Sequence, residues 1–187
     1  MPANKIPIVW VTGASRGIGA AIARAFASIG AHVVLSGRNV PELERNTKKI
    51  RLLGQKASLL KCDVTSEASV SRAYESILKQ YHVVDVLVNN AGVSCFKSFE
   101  KTAVRDFDAI LATNLRGAFL CTKSVLPAMV KRRAGVIINI VSVAATTTFE
   151  NSSAYAAAKA GMLAMSRGLR SEVRKKGVRV MDILPGA

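Results

Sequence analysis

Apolar runs of strand length alternate with amphipathic stretches of helix length along the whole chain. "IPIVWVTG" (residues 6–13) reads as a strand buried on both faces, followed by a helix in "GIGAAIARAFASIGA" (17–31) that ends at Gly30. "HVVLSG" (32–37) is a second strand, and a polar helix over about 41–53 stops near Gly54. "ASLLKCDV" (57–64), "EASVSRAYESILKQY" (67–81) and "VVDVLVNNAG" (83–92) give a third strand, a third helix and a fourth strand. One long helix is expected over 104–131, with Pro127 kinking it or marking its last turns. "GVIINIVS" (135–142), a helix over 153–176 and "VRVMDILPG" (178–186) complete six strands. Strands that are apolar throughout and alternate with crossover helices predict a parallel sheet covered on both faces. The expected fold is α/β, doubly wound and Rossmann-type, with no linker or repeat to divide it, so residues 1–187 are expected to form one domain.

The loop "TGASRGIG" (12–19) joins the first strand to the first helix and holds Gly13, Gly17 and Gly19. Glycines there allow a tight turn and close approach of a ligand to the backbone, while helix-start N–H groups favour a pyrophosphate. In that strand–loop–helix context a dinucleotide is expected, although the spacing G-x-x-x-G-x-G differs from G-x-G-x-x-G. An acid at the end of the second strand would suit the ribose hydroxyl of NAD; this chain has Gly37, Arg38 and Asn39, with no carboxylate until Glu42. Arg16 and Arg38 suit a 2′-phosphate, so NADP(H) is expected. Asp63, in the "CDV" that ends the third strand, could accept a hydrogen bond from an adenine amino group.

In "SAYAAAKAGM" (153–162), Tyr155 and Lys159 lie four apart and share a helix face. A free phenol titrates near about pH 10, and a neighbouring ammonium favours its ionised form. Such a pair can exchange a proton with a carbonyl oxygen as hydride reaches the carbon. Taken alone, the spacing also fits an ordinary surface pair.

The chain carries 27 Lys and Arg against 12 Asp and Glu, a formal charge of +15, which favours anionic partners. The basic residues are scattered or sit on helices, and six Phe, three Tyr and one Trp make no stacking platform, so nucleic acid is not expected. Cys62, Cys95 and Cys121 are far apart, with no disulfide or zinc spacing, and His32 and His82 are isolated. A reducing, cytoplasmic setting and no metal are therefore expected. The first residues lead into a strand, so no leader is expected, and no apolar run approaches the length of a membrane span.

Taken together, "TGASRGIG", "LVNNAG", "TNL", "VS" thirteen residues before Tyr155, "YAAAK" and the final "PG" closely resemble the single-domain short-chain dehydrogenases/reductases. Within that family the chain is most similar to the 3-oxoacyl-[acyl-carrier-protein] reductases. The resemblance implies Tyr155 as general acid/base, Lys159 as binder of the nicotinamide ribose, Ser142 as partner of the substrate carbonyl, and Asn114 as holder of a relay water. It implies that Gly13, Ser15, Arg16, Gly17, Ile18 and Gly19 line the diphosphate, with Arg38 and Asn39 beside the 2′-phosphate. Asp63 and Val64 would border the adenine. Asn90, Ala91 and Gly92 would contact the cofactor and brace the central strands, and Pro185 and Gly186 would lie near the nicotinamide. It further implies a carbonyl or acyl-thioester substrate, acyl-carrier docking through Arg133 and Lys176, and a homodimer through the helices carrying Asn114 and Tyr155. The family's chains usually run on past the "PG" into a substrate lid and a further strand, which the sequence ending in "ILPGA" does not include. The alternative reading is a catalytically impaired nucleotide-binding protein of the same family.

Overall fold

The computed structural model of the chain describes residues 6–147 and 149–186. The first five residues, where no leader is expected, and the chain-end boundary at Ala187 lie outside the described residues. Six parallel strands are ordered β3-β2-β1-β4-β5-β6. They are β1 (Ile8–Thr12), β2 (His32–Gly37), β3 (Ala57–Lys61), β4 (Val86–Asn89), β5 (Gly135–Ile140) and β6 (Val178–Ile183). The helices are α1 (Gly17–Ser28), α2 (Val40–Leu52), α3 (Glu67–Tyr81), α4 (Val104–Leu111), α5 (Gly117–Lys131) and α6 (Ser153–Val173).

Alternation along each strand sorts the core into two layers. Val9, Val11, Val33, Leu35, Val86 and Val88 face α1 and α2 and pack on Ala23, Ala27, Leu43 and Ile50. Trp10, Val34, Leu87, Ile137, Val178 and Val180 face the other way, onto Ile77 of α3, Leu120, Val125 and Met129 of α5, and Val173 of α6. The strand order reverses between β1 and β4. In an open α/β sheet a crevice forms there, outside the carboxyl ends of the strands.

Several expected boundaries move, each for a physical reason. The helix expected over 104–131 keeps both its bounds and is helical throughout, but one π-turn, Ala112–Arg116, interrupts its regular hydrogen bonding between α4 and α5. Pro127 lies in the last part of α5. The helix expected to reach residue 176 ends at Val173 and tightens into a 3-10 turn, Arg174–Lys176, closed by Gly177 at φ +74°. β3 and β4 stop short of "CDV" and "NAG" because those residues leave the sheet to edge the crevice.

At the carboxyl ends a row of polar side chains replaces the apolar one. Asn89, Asn139 and Asp182 are neighbours in register across β4, β5 and β6. Asn89 Nδ2 donates to Asn139 Oδ1 at 2.9 Å and to Thr122 Oγ1 of α5 at 3.0 Å. Asn139 Nδ2 donates to Ser166 Oγ of α6 at 3.0 Å, and the Ser166 hydroxyl donates to Asp182. Arg170 completes the chain, with Nη2 on Asp182 Oδ2 at 2.5 Å. Buried polar groups must find such partners, and here they tie α5 and α6 to the strands beneath the crevice.

Candidate active site

The crevice has a broad end and a narrow end. The broad end is a cleft of about 610 Å³ lined by the glycine loop, the ends of β2 and β3, and residues 90–93. The narrow end, about 250 Å³, is lined by Ser142, Tyr155, Lys159, Pro185 and Gly186, with Ile140, Val141 and Ser94. Ile18, Asn90, Gly92 and Val93 line both, so the two form one continuous space.

Glycine is required at two points of the loop. Gly13 sits at φ +64°, and a Cβ there would come within 2.7 Å of Ala91 Cα. A Cβ on Gly19 would meet Gly13 O at 2.5 Å and the Asn90 side chain. Asn90 Nδ2 donates to Thr12 O at 2.9 Å and Gly13 O at 3.1 Å, while Thr12 Oγ1 accepts from the N–H groups of Asn90 and Ala91, both at 3.1 Å. The loop is thus clamped to the end of β4. α1 begins at Gly17 with no side-chain cap and no acid in its first turn, which leaves its leading N–H groups turned to the cleft.

Ser15, Arg16, Arg38 and Asn39 all line the cleft as expected, and both arginines are exposed. Asn39 also serves the helix that follows it, since its Oδ1 accepts from Glu42 N–H at 3.2 Å and caps α2. Asp63 and Val64 border the same space. Burial would raise the Asp63 carboxyl, but hydrogen bonds from Thr65 N–H (3.0 Å) and Thr65 Oγ1 (2.8 Å) and the charge of Arg38 outweigh it, so Asp63 titrates below the ordinary range.

At the narrow end, Tyr155 and Lys159 share one face of α6. Lys159 is 4% exposed, and its Nζ donates to Ile140 O at 2.8 Å. That nitrogen lies 5.7 Å from the centre of the Tyr155 ring, so the described hydrogen bond of the ammonium goes to the β5 carbonyl and not to the phenol. Burial lowers Lys159 from its ordinary value to about 8. Ser142 stands two residues beyond β5, and its Oγ accepts from Ala144 N–H at 3.1 Å, leaving the hydroxyl proton to be donated elsewhere. The Phe96 ring leans on Tyr155 from outside, centroid to centroid 5.8 Å.

Asn114 is fully buried and lies in the π-turn, not in a regular helix. Its Oδ1 accepts from Val93 N–H and its Nδ2 donates to Val93 O, both at 2.8 Å. π-turns recur at functional positions.

Arg133 and Lys176 are not at the crevice. They precede β5 and β6, at the amino ends of the strands, and Arg133 Nη2 donates to Lys175 O at 3.0 Å. Six-residue strands at ~3.3 Å per residue put them about 20 Å from the carboxyl ends. The crevice also includes residues not expected from the sequence: Thr12 as clamp, and Glu42, Cys62, Thr65, Val93 and Thr113 in the walls. No local signal marks Val93, and Thr113 is marked only as part of the "TNL" that carries Asn114; the fold brings both to the cleft. Among the described residues no group of His, Cys, Asp and Glu could hold a metal, and no helix is long and apolar enough to cross a membrane.

Residues 7–187 match the family model described as short chain dehydrogenase. The chain is 37% identical over 187 residues to a sepiapterin reductase of Chlorobaculum tepidum, covering 96% of this chain and 77% of that protein. It is 36% identical over 177 residues to the 3-oxoacyl-[acyl-carrier-protein] reductase FabG of Aquifex aeolicus, covering 94% and 71%. Among solved structures it resembles a metagenomic short-chain oxidoreductase in complex with NADP (TM-score 0.93, 37% identity, 97% and 82% covered). It also resembles an alcohol dehydrogenase from the archaeon Thermococcus sibiricus complexed with 5-hydroxy-NADP (TM-score 0.93, 29% identity, 98% and 77% covered). With the glycine cradle, the Tyr155–Lys159 pair and a match over nearly the whole chain, this protein belongs to the short-chain dehydrogenase/reductase family of oxidoreductases.

Proposed function

We propose that the chain is an NADPH-dependent carbonyl reductase, acting through residues 1–187 as one cofactor-binding catalytic domain, with Tyr155 as its general acid/base. The observation that carries this reading is the single crevice in which the glycine cradle and the Tyr155–Ser142–Lys159 cluster share walls. Its chemistry fits NADP(H). The cradle is too tight for side chains at Gly13 and Gly19, the start of α1 offers N–H groups to a diphosphate, and Arg16 and Arg38 supply cations for a 2′-phosphate. Glu42 reaches the same cleft, but its carboxylate is paired with Arg45 at 3.0 Å.

NADPH, when bound along these walls, would supply the hydride for a carbonyl carbon at the narrow end. Tyr155 gives its phenolic proton to the carbonyl oxygen as that oxygen gains electrons. The Ser142 hydroxyl donates a hydrogen bond to the same oxygen and fixes its direction. Lys159 holds the nicotinamide ribose hydroxyls and keeps a positive charge beside the phenol below about pH 8. Asn114 holds the water that carries a replacement proton from solvent toward Lys159. Ile18, Asn90, Ala91, Gly92, Pro185 and Gly186 shape the cofactor's path, and Asp63 and Val64 receive the adenine.

Among carbonyl compounds a 3-oxoacyl thioester is the proposed substrate, supported by the similarity to reductases of that name. Acyl-carrier docking through Arg133 and Lys176 requires a second copy, because one chain holds them at the far end of its own sheet. A homodimer with α5 and α6 packed antiparallel to their counterparts would bring the partner's basic end to the crevice mouth. The deciding experiment titrates NADPH and NADH by fluorescence, then follows the nicotinamide absorbance with an acetoacetyl thioester. Preference for NADPH with turnover is expected; tight NADPH binding without turnover of any ketone would favour the impaired nucleotide-binding protein.

A further inference from the structure

The π-turn between α4 and α5 is joined to two segments that line the crevice and to the helix that carries Tyr155 and Lys159, each through a different residue. Asn114 clamps both backbone groups of Val93, which lines the broad and the narrow ends. Leu115 packs over Gly161, two residues beyond Lys159, where a Cβ would come within 3.0 Å of Leu115 Cδ2. Arg116 reaches the loop after β3, its Nη1 donating to Thr65 O at 2.6 Å. Beside it Gly117 is held against Val64, so closely that a Cβ would lie 2.7 Å from Val64 Cγ2. Arg116 itself lines neither end of the crevice, but Val64, Thr65 and Thr113 line the broad one.

A π-turn is a point at which a helix can change its hydrogen bonding without losing its course. Here such a turn lies between a loop that touches the cofactor cleft and the backbone leading to Phe96, whose ring rests on Tyr155. A ligand that fixes the Val64–Thr65 loop therefore fixes one anchor of the turn, and Asn114 passes that constraint to Val93. We propose that Arg116 is a positioning residue that couples the two ends of the crevice: by holding Thr65 it lets a filled cofactor cleft brace the Val93–Phe96 backbone against which the carbonyl substrate rests. The inference rests on the NADPH reading for the identity of the first ligand and adds a residue outside the catalytic cluster. Its energetic meaning is a coupling between sites, which is reciprocal and commonly amounts to about five-fold or more in affinity.

The test measures amide hydrogen exchange at residues 91–97 in wild type, Arg116→Ala and Arg116→Lys, with and without NADPH. Arg116 is exposed, so both variants should stay folded. In the cofactor-free protein, Arg116→Ala is expected to raise exchange at the Val93 amide about five-fold, and Arg116→Lys to restore part of the protection. With NADPH, wild type should gain protection over 93–96, while Arg116→Ala binds the cofactor within about threefold of wild type yet loses that gain. Gly117→Ala, which strains the same joint from the Val64 side, should lose it too. With acetoacetyl thioester, Arg116→Ala should raise KM about five-fold and leave kcat within about twofold. Failure of wild type to bind NADPH would sink the functional reading, and the cofactor-free arm would still decide the link. Equal Val93 exchange in wild type and Arg116→Ala, or an undiminished cofactor-induced gain in that variant, would overturn the proposal.

Discussion

The two halves of the sheet solve different problems with different materials. The β1–β3 half presents backbone at its site: glycines at forced positions and an uncapped helix start, in a loop that the side chains of Thr12 and of Asn90, just beyond β4, clamp through four hydrogen bonds. Its cross-strand side-chain bonds are isolated pairs, as where Trp10 Nε1 of β1 donates to Ser36 Oγ of β2 at 2.8 Å. The β4–β6 half holds its site with side chains bonded to side chains across strands and helices, from Thr122 through Asn139 and Ser166 to Arg170. A backbone-built site presents N–H groups to a ligand that differs little from one dehydrogenase to another. The long-range side-chain bonds lie beneath the narrow end that Tyr155 and Lys159 line, where the proposed reaction would move its proton.

Breaking the two halves should therefore give different kinds of failure. The largest expected effect is at the cradle. Gly19→Ala forces a methyl group onto Gly13 O and Asn90, and NADPH affinity should fall at least about a hundred-fold while the melting curve moves much less. Binding by calorimetry and melting by circular dichroism separate the two.

In the other half the loss should appear as stability. Asp182→Ala strips the acceptor from Ser166 and Asn139 and leaves Arg170 half-exposed without its carboxylate. About 2–3 kcal/mol of unfolding free energy should be lost in urea titration, with cofactor affinity little changed. A loss under about 0.5 kcal/mol would mean the ladder is not what fixes α6 to the sheet.

Lys159 sharpens the contrast through pH. Its ammonium is buried and titrates near about 8 in the folded chain against an ordinary 10.5. Between those values the unfolded state holds more protons, so stability rises with pH there, and below about 8 the buried charge costs a constant amount. At about 1.4 kcal/mol per pH unit the difference reaches about 3 kcal/mol. Lys159→Met should be more stable than wild type at pH 7, with the advantage shrinking as pH climbs from about 8 to 10.5. A difference independent of pH would show that the ammonium is better solvated than its 4% exposure implies.

The smallest effect belongs to the arginines at the broad end. Arg38→Ala should reduce NADPH affinity about tenfold and leave NADH affinity nearly unchanged, because one exposed guanidinium meets one phosphate. Equal losses for both cofactors would remove Arg38 from the 2′-phosphate.

The same division explains which features are legible in the amino-acid order alone. β2 (His32–Gly37) and α3 (Glu67–Tyr81) follow the expected boundaries because period, caps and flanking turn residues are local in sequence. The glycine cradle is legible for the same reason: three glycines alone would fit a plain turn or a helix cap, but between the first strand and the first helix they point to a dinucleotide. The π-turn is not, since "LATNLRG" keeps ordinary helical composition and the extra residue is accommodated only against Val93, Val64 and Gly161. The polar ladder is equally hidden. Asn139 and Asp182 look like blemishes in apolar strands until the register sets them side by side. Arg133 and Lys176 show the converse: the family resemblance suggests a docking pair, and the direction of the strands places both at the far end.

The proposed reduction requires that the Tyr155 hydroxyl meet a carbonyl in the crevice whose broad end would hold the cofactor. Single-turnover oxidation of prebound NADPH by an acetoacetyl thioester, compared between wild type and Tyr155→Phe, tests this directly. The expected result is a rate about 10²- to 10⁴-fold lower in the variant with NADPH affinity unchanged; a variant that turns over as fast as wild type would contradict the account.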